Sequence, residues 1–569
     1  LATATETIDP TIIPLRKQLK DQAKARKSSP KSNKQSLKDW ELTVGIEIHA
    51  QLNTARKLFS SAASTINDAP NTHVAFFDLA LPGSQPQFQK ETLIPALRAA
   101  LALDCKIQTT SQWDRKHYFH WDQPAGYQIT QYYQPFAKDG SITLFKHDGI
   151  AVEDGEEITV GIKQVQMEQD TAKTMSRVEG EHLLDFNRVG LPLVEIITLP
   201  QIHHPQTAAA LVRKVQKLLN VVDACVLGME SGGLRADVNV SVRRRDTDGT
   251  NAYAGVKGLG QRTEIKNLSS FKAVEDAIIA ERDRQISVVE SGGSIEGETR
   301  GWTLGSTETR RLRGKEGEVD YRYMPDPDLA PLRIDATLIR HLSETMPDLP
   351  DDYANILTRE YGITHKDAMA LISLNDGGRA EYFRNVADAL HLYNQASEHP
   401  DAMKGSEYYG RLACNWVLHE MGGLVSDSSE EENVLEITEE GDCVVPDVVL
   451  ATMLRYLDQG EITGKTAKKV LRTLFEDRKA GGGKAVHDII EEQGLWFNPF
   501  SEEEYRVMAK GIVDEYPEIV KDVLVGNRKG KGKLMFLVGQ MMRADREGRM
   551  DPKVAAMVLE EVIGVPPAE

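Results

Sequence analysis

Thr43-Val-Gly-Ile-Glu-Ile-His-Ala-Gln-Leu52 alternates without interruption. Val44, Ile46, Ile48, Ala50 and Leu52 fall on one face of a β-strand, and Thr43, Gly45, Glu47, His49 and Gln51 on the other. The polar face sets a carboxylate and an imidazole two residues apart. Leu234-Arg-Ala-Asp-Val-Asn-Val-Ser-Val-Arg243 repeats the device, with Arg235, Asp237, Asn239, Ser241 and Arg243 opposite an apolar row. In Val160-Gly-Ile-Lys-Gln-Val-Gln-Met-Glu-Gln-Asp170, Gln166, Glu168 and Asp170 share a face if the strand stays regular. Glu264 and Lys266 pair in the same way in Arg262-Thr-Glu-Ile-Lys-Asn267. A single such strand is equally the wetted face of an antiparallel sheet. Four that neighbour one another would build a concave floor of oxygen ligands and cations. Magnesium takes such carboxylates together with water and phosphate oxygens, and Arg235, Arg243 and Lys266 would neutralise phosphate. The pattern points to phosphoryl transfer from a magnesium nucleotide. No P-loop serves it: Gly464-Lys465-Thr466 lacks the glycine that the Walker pattern needs five residues earlier, where Gln459 stands.

Composition narrows the rest. The chain has 569 residues, 40% hydrophobic and 27% charged, room for about three or four domains with ordinary cores. No stretch approaches the roughly 18 apolar residues of a membrane-spanning helix. The cysteines are Cys105, Cys225, Cys414 and Cys443, with no CxxC spacing among them. That speaks against a disulfide scaffold and a local zinc cluster and fits a reducing compartment. None has the flanking glycines of a GxCxG glutaminase, and no GxSxG or HExxH motif occurs. A formal net charge of −18 and a pI near 5.4 argue against a general nucleic-acid coat but leave room for local basic patches.

Residues 1–39 are basic and Ser-rich, with Arg16, Lys17, Lys20, Lys24, Arg26, Lys27, Lys31, Lys34 and Lys38 against Glu6, Asp9, Asp21 and Asp39. So little apolar content predicts a disordered segment outside the fold. An organelle-targeting presequence has this composition, and so does a solvated basic tail. Between the strands, 114–132, 184–195 and 309–328 read as loops in which aromatic rings sit beside Arg and Lys, suited to stacking a base or holding a terminal nucleotide. Asn187-Arg188-x-Gly190-x-Pro192-Leu193-x-Glu195 is the densest of these in constrained and charged residues. After about residue 347 strand alternation gives way to helical spacing. The expected order is a cradle domain over 40–346, a helical domain over 347–423, an acidic linker over 424–444 and a helical tail over 445–569. In the tail, Gly526-Asn-Arg-Lys-Gly-Lys-Gly-Lys533 reads as a loop before a helix over 533–544. Its Arg528, Lys529, Lys531 and Lys533 suit an RNA backbone approached closely at glycine, or form a solvated charge run.

These stretches resemble one family, the GatB subunits of the aminoacyl-tRNA amidotransferases, in its mitochondrial form. The resemblance rests on Val44-Gly-Ile-Glu-Ile-His-Ala-Gln-Leu52, Asp114-Arg-Lys-His-Tyr-Phe119, Tyr127-Gln-Ile-Thr-Gln131 and Met167-Glu-Gln-Asp170. It continues through Asp185-Phe-Asn-Arg-Val-Gly-Leu-Pro-Leu-Val-Glu195, Leu234-Arg-Ala-Asp-Val-Asn239, Thr263-Glu-Ile-Lys-Asn-Leu268, Asp320-Tyr-Arg-Tyr-Met-Pro325 and Lys529-Gly-Lys-Gly-Lys-Leu-Met-Phe-Leu-Val-Gly-Gln540. It implies an α+β fold, with an N-terminal antiparallel-sheet cradle related to glutamine synthetase followed by all-α helical and YqeY-like domains that hold tRNA. It also implies an ATP-dependent carbon–nitrogen ligase of mitochondrial translation, working in the mitochondrial matrix as part of a heterotrimer. ATP phosphorylates the γ-carboxylate of Glu-tRNA(Gln), and ammonia displaces the phosphate to give Gln-tRNA(Gln). The implied partners are a glutaminase (GatA-type) subunit, a small third subunit and Glu-tRNA(Gln); Mg2+ and ATP are the implied cofactor and cosubstrate.

By the resemblance, Glu47, His49 and Glu168 are metal ligands, with Asp170, Asp237, Asn239 and Glu264 as further candidates for the metal, catalytic or nucleotide set. Arg235 and Lys266 are assigned to phosphate stabilisation by their chemistry. Asn187, Arg188, Glu195, Asn239, Glu264 and Tyr127 are expected to bind nucleotide or substrate, and Arg528, Lys529, Lys531 and Lys533 to bind tRNA. Two departures stand out. Residues 58–67 and 76–83 lack cysteine where many bacterial relatives carry a zinc site, so no zinc is expected. Gln169 stands where relatives often have a second carboxylate, which predicts one metal ion held more weakly or through water. A non-catalytic tRNA-binding scaffold and a free-standing ligase of the glutamine synthetase type are the other readings. Intact Glu47, His49, Glu168 and Asp237 speak against the first, and the helical tail with its basic stretch against the second.

Overall fold

In the computed structural model of the protein, the described residues are 39–564 except 66, 177–180, 226, 246–258, 315–320, 396–403, 427–433, 498–499, 525–527 and 546–549. The expected basic segment therefore lies outside the described residues, apart from Asp39. The chain forms two compact units, Leu1–Leu349 and Pro350–Glu569. The architecture is α+β: the first unit is built on a large sheet, and the second is helical among its described residues.

The strands of the first unit begin with β1 (Trp40–Gln51), β2 (Lys106–Ile107), β3 (Thr110–Ser111), β4 (Asp114–His117), β5 (Tyr127–Thr130), β6 (Ala137–Phe145), β7 (Glu157–Gln169) and β8 (Lys173–Ser176). They continue with β9 (His182–Asp185), β10 (Pro192–Thr198), β11 (Leu234–Arg244), β12 (Thr263–Leu268), β13 (Glu298–Gly301), β14 (Arg310–Gly314), β15 (Met324–Pro325) and β16 (Leu332–Arg333). Nine of them make one sheet in the order β14-β13-β12-β11-β1-β10-β7-β6-β2. Its pairs are antiparallel except β12–β13, which is parallel. The alternation in β1 explains its central place. Val44, Ile46, Ile48 and Ala50 are buried in a core shared with the helices Leu93–Ala102, Pro205–Val221 and Phe271–Glu290. The residues between them face away from those helices. The four strands expected to converge do so, with β10 inserted between β1 and β7.

That insertion corrects the reading of 184–195 as a loop. Pro192–Glu195 begins a central strand, and Pro192 is its first residue, the position where a missing N–H disturbs the ladder least. The other two expected loops also contain strands: β4 and β5 lie in 114–132, β14 and β15 in 309–328, and β15-β4-β5 forms a small separate sheet.

The helical spacing of the second half is realised in helices among which are Gly378–Gln395, Asp447–Asp458, Gly464–Lys479, Glu502–Glu515 and Pro552–Ile563. The acidic stretch 424–444 is not simply a linker: Val434 is buried, and Leu435 and Ile437 enter the same core as Ala354 and Ile490. Residues 427–433 of it lie outside the described residues. A separate core runs from Tyr505 to Ile563, so the tail expected over 445–569 divides near residue 500. The basic stretch before 533 is helical from its third residue, the helix being Arg528–Ala544. Ala and Leu are not needed to start it, because Arg and Lys are themselves good helix formers. No helix among the described residues is long and apolar enough to cross a membrane.

Candidate active site

Register places the polar side chains of the sheet in rows. Glu47 lies opposite Asp237 and His49 opposite Arg235 on β11, and Asn239 lies opposite Glu264 on β12. On the other side His49 faces Glu195 of β10, Glu195 faces Gln166 of β7, and Glu168 follows one row further along. Ten of the residues expected at the site thus meet on one floor: Glu47, His49, Glu168, Asp170, Glu195, Arg235, Asp237, Asn239, Glu264 and Lys266.

Two ion-paired groups flank the centre. Lys266 Nζ donates to Asp237 Oδ2 at 3.0 Å and lies 3.1 Å from Glu264 Oε1, while Asn267 N–H donates to Asp237 Oδ1 at 2.8 Å. Burial works against the Asp237 charge, but Lys266 and these donors prevail and hold its carboxyl below the ordinary range. At the far end Arg235 donates to Asp170 Oδ1 at 2.8 Å, and Arg188 stands 3.6 Å from Oδ2. Burial is again outweighed, by Arg235 and Arg188, and Asp170 is held ionised.

At the centre, one ligand atom each of His49, Glu168 and Glu195 lie within 4.8 Å of one another. Gln166 Nε2 donates to Glu195 Oε2 at 2.8 Å, and Asn239 Nδ2 donates to Glu47 Oε1 at 2.9 Å. Burial lowers the His49 pKa, which keeps the imidazole neutral and a nitrogen lone pair free to accept. Burial and the nearby Glu168 carboxylate push Glu195 up to about 7, and burial with Glu195 and Glu264 raises Glu47. Carboxylates crowded in this way fit a divalent cation. Two oxygens across a magnesium ion stand about 4.2 Å apart at the usual bond length of ~2.1 Å, so the trio needs only a small contraction to share one. Of the residues expected to hold metal, His49 and Glu168 lie together with Glu195, Glu47 accepts from Asn239, and Asp170 is paired with two arginines. Gln169 alternates away from Glu168, and its side-chain oxygen accepts from Ile129 N–H at 3.0 Å.

Glu195 carries a pH dependence whose sign can be worked out. Its carboxyl would ionise near 4.5 in the unfolded chain and does so near 7 in the fold. The folded protein keeps this proton at pH 6 where the unfolded chain releases it. The group therefore favours folding below its unfolded value, and that contribution is lost as pH rises through about 7. A bound cation competes with the same proton. Added magnesium is expected to raise the melting temperature more at pH 8 than at pH 6, and Glu195→Gln to remove the difference. Equal shifts at both pH values would count against a cation at this carboxyl.

Sequence reasoning missed Lys116. It stands on β4, and its Nζ donates to Glu168 at 3.1 and 3.3 Å. Burial opposes its charge, but Glu168 and Glu195 hold the ammonium well above its ordinary value. The stretch 114–119 is visible as a motif, but the partner 52 residues away is not. Two expected residues sit apart from the floor. Asn187 ties down the segment before it, donating to Ala69 O at 2.8 Å and accepting from His73 N–H at 2.8 Å. The Tyr127 ring is covered by the Arg115 guanidinium, 4.3 Å from its centroid. In the second unit Lys533 pairs with Asp522, and the side chains of Arg528, Lys529 and Lys531 lie outside the described residues.

Burial pushes the Cys443 thiol up to about 11 and Cys105 and Cys414 up to about 12, with Cys225 also raised. At pH 8 about a thousandth or less of each is thiolate, the reactive form. The native protein is expected to resist alkylation at pH 8, and all four thiols to react once it is unfolded in urea. Rapid modification of one thiol in the native state would identify a reactive cysteine that this arrangement does not predict.

A nine-stranded sheet floored with carboxylates, an imidazole and cations, in a chain whose second unit is helical among its described residues, defines an α+β class of protein. Comparison with known proteins is specific. Residues 42–340 match the GatB/GatE catalytic domain and residues 402–563 the GatB domain. A Verticillium alfalfae protein, named as the mitochondrial B subunit of glutamyl-tRNA(Gln) amidotransferase, is 56% identical over 564 residues, which is 97% of this chain and 89% of the relative. The proteins of the same name from Neurospora crassa and Aspergillus niger are 57% identical over 578 residues (98% and 88%) and 55% identical over 565 residues (98% and 91%). The chain belongs to the GatB family, in its mitochondrial branch.

Proposed function

We propose that this chain is the B subunit of a heteromeric Glu-tRNA(Gln) amidotransferase and that the floor around His49, Glu168 and Glu195 activates and amidates the tRNA-bound glutamate. The observation that carries the reading is the convergence of Glu47, His49, Glu168, Glu195 and Asp237 with Lys116, Arg235 and Lys266 on one sheet face, in a chain of this family. A scaffold for tRNA has no use for so many buried ionisable groups, each of which costs stability unless compensated.

A carboxylate does not acylate ammonia, and phosphorylation by ATP gives it a leaving group. The γ-carboxylate oxygen forms a bond to the γ-phosphorus as the bond to ADP breaks; ammonia then adds to the acyl carbon, phosphate leaves, and a proton is lost from nitrogen. A magnesium ion, held by Glu168 and Glu195 with His49 or Glu47, would shield the negative charge of the two anions from each other. Lys116 stands at the centre beside Glu168 and Arg235 at the far end beside Asp170, where each can carry phosphate charge as its carboxylate partner yields. Lys266 does the same beside Asp237. The departing phosphate can accept the proton that the attacking nitrogen must lose.

The remaining parts of the reading follow the family. The sheet unit corresponds to a cradle of the glutamine synthetase kind. A glutaminase partner supplies ammonia, in keeping with four thiols held protonated here, and a small third subunit completes the complex. The helical tail, with Arg528, Lys529, Lys531 and Lys533, holds the tRNA. The test uses the purified complex with Glu-tRNA(Gln), Mg2+, ATP and ammonium chloride in place of glutamine. ADP and Gln-tRNA are both expected, and both disappear with Glu47→Ala while tRNA binding persists. Binding without either product would favour the scaffold reading.

A further inference from the structure

One set of side chains beside the floor is not used by this chemistry. Tyr132 follows β5, and Tyr323 precedes β15, the two outer strands of the small sheet. Their rings stack face to face, with centroids 3.9 Å apart and planes 7° from parallel. Tyr133 stands edge-on to Tyr132 at 5.1 Å and 76°. The corner is held in place from behind, because buried Asp114 accepts a hydrogen bond from Tyr133 N–H at 2.9 Å. Yet Tyr132 is 44% and Tyr133 57% exposed. One face of Tyr132 is covered by Tyr323, so its exposure lies on the other face and the rim. Rings fixed rigidly and left open to water are unusual outside binding sites, and a flat aromatic face is what a nucleobase stacks on.

The wall also adjoins the reacting centre. The Tyr323 hydroxyl lies within electrostatic reach of Lys116, Glu168 and Glu195. Lys116 Nζ lies 5.5 Å from the centroid of Tyr321, which in turn packs edge-on against Tyr323 at 5.9 Å. The rings therefore lead from the carboxylates outward to solvent.

We propose that the Tyr132–Tyr133–Tyr323 corner is the stacking subsite for the 3′-terminal adenosine whose ribose carries the glutamyl ester. The inference rests on the function proposed above. In that substrate the reacting γ-carboxylate is joined to the base through one glutamyl chain and one ribose, so a purine has to dock at the rim of the floor. The adenine of ATP is the other purine present. Its triphosphate seeks cations, and two of the three, Arg235 and Lys266, sit on β11 and β12, on the other side of β1 from β7, to whose Glu168 the small sheet is joined through Lys116. The wall thus falls to the tRNA end.

The test uses the intact heteromeric complex with ammonium as nitrogen donor, so that the glutaminase is not involved. Tyr132→Ala is expected to raise KM for Glu-tRNA(Gln) at least about ten-fold, with KM for ATP changed less than two-fold. Tyr132→Trp should restore the wild-type value. Binding gives a second readout independent of turnover: the wild-type complex should hold a tRNA shortened by its terminal adenosine more weakly than the full-length one, and Tyr132→Ala should bind both alike. A rise in KM for ATP with that for tRNA unchanged would assign the corner to the nucleotide and overturn the proposal. Unchanged constants for both substrates would overturn it equally. A wild-type complex that yields neither ADP nor Gln-tRNA would instead overturn the underlying function.

Discussion

Glu168→Ala is expected to reduce ATP-dependent amidation by about 10²–10³-fold or more, with tRNA binding changed less than two-fold. Glu168 is almost fully buried and touches every component of the centre. It accepts Lys116 through both oxygens and Gln128 Nε2 at 3.3 Å, and it lies beside His49 and Glu195. Its loss removes a cation ligand and leaves Lys116 buried without its main counter-charge. It also removes one of the two chief reasons that Glu195 stays protonated near neutrality, so the Glu195 carboxyl should fall towards its ordinary range. Glu168→Gln separates shape from charge: it keeps a group of the same size facing Lys116 and should be nearly as inactive. Retention of more than a tenth of wild-type kcat in either variant, with the fold verified by melting, would move the chemistry away from this trio.

Lys57→Met is expected to destabilise the first unit by about 3–5 kcal/mol, a fall in melting temperature on the order of 5–10 °C. Lys57 and Asp78 form an ion pair at 3.0 Å with side chains 0% and 1% exposed. Lys57 Nζ also donates to Phe186 O at 3.0 Å, and Asp78 Oδ2 accepts from Ala75 N–H at 2.8 Å. The pair thus clips the segment after β1 onto the turn before β10. Gly190 lies in that turn with φ +78°, and a Cβ there would meet Asp78 Oδ1 at 3.3 Å, so the backbone can approach the pair only as glycine. Removing the lysine strands a buried carboxylate, whereas Lys57→Met with Asp78→Leu removes both charges and should recover most of the loss. Gly190 N–H donates to Asp170 O and Leu58 N–H to Gly190 O, both at 2.9 Å, so the clip also bears on the Asp170–Arg235 end of the floor. A single variant with unchanged melting would show that the pair is dispensable.

The fold's decisive element is legible because β1 obeys a strict period of two, and its polar residues can go only to one side. β11 alternates in the same way, and the carboxylates and cations of β7 and β12 meet with its own as expected, although the buried residues of β7 change parity between Ile162 and Val165, at a bulge. What fails is register over long separations. Pro192 and Gly190 disguise the start of β10 as a loop, which puts Glu195 at the substrate and not beside His49. Lys116 and Lys57 are single lysines whose carboxylate partners lie 52 and 21 residues away, and no local pattern announces such pairs. Gln169 differs from Glu168 for a simpler reason: one step along a strand turns a side chain to the other face, where it accepts from Ile129 N–H. The acidic run near 430 hides Leu435 and Ile437, which tertiary packing buries despite their charged neighbours.

The central claim is that this floor joins ATP cleavage to the glutamyl carboxylate through an acyl phosphate. The most direct measurement uses Glu-tRNA(Gln) with ¹⁸O at both γ-carboxylate oxygens, turned over by the complex with ATP and ammonium. If the carboxylate oxygen attacks phosphorus and leaves with it, the released phosphate carries one ¹⁸O atom for each Gln-tRNA formed. Phosphate free of label, with Gln-tRNA still produced, would contradict the account.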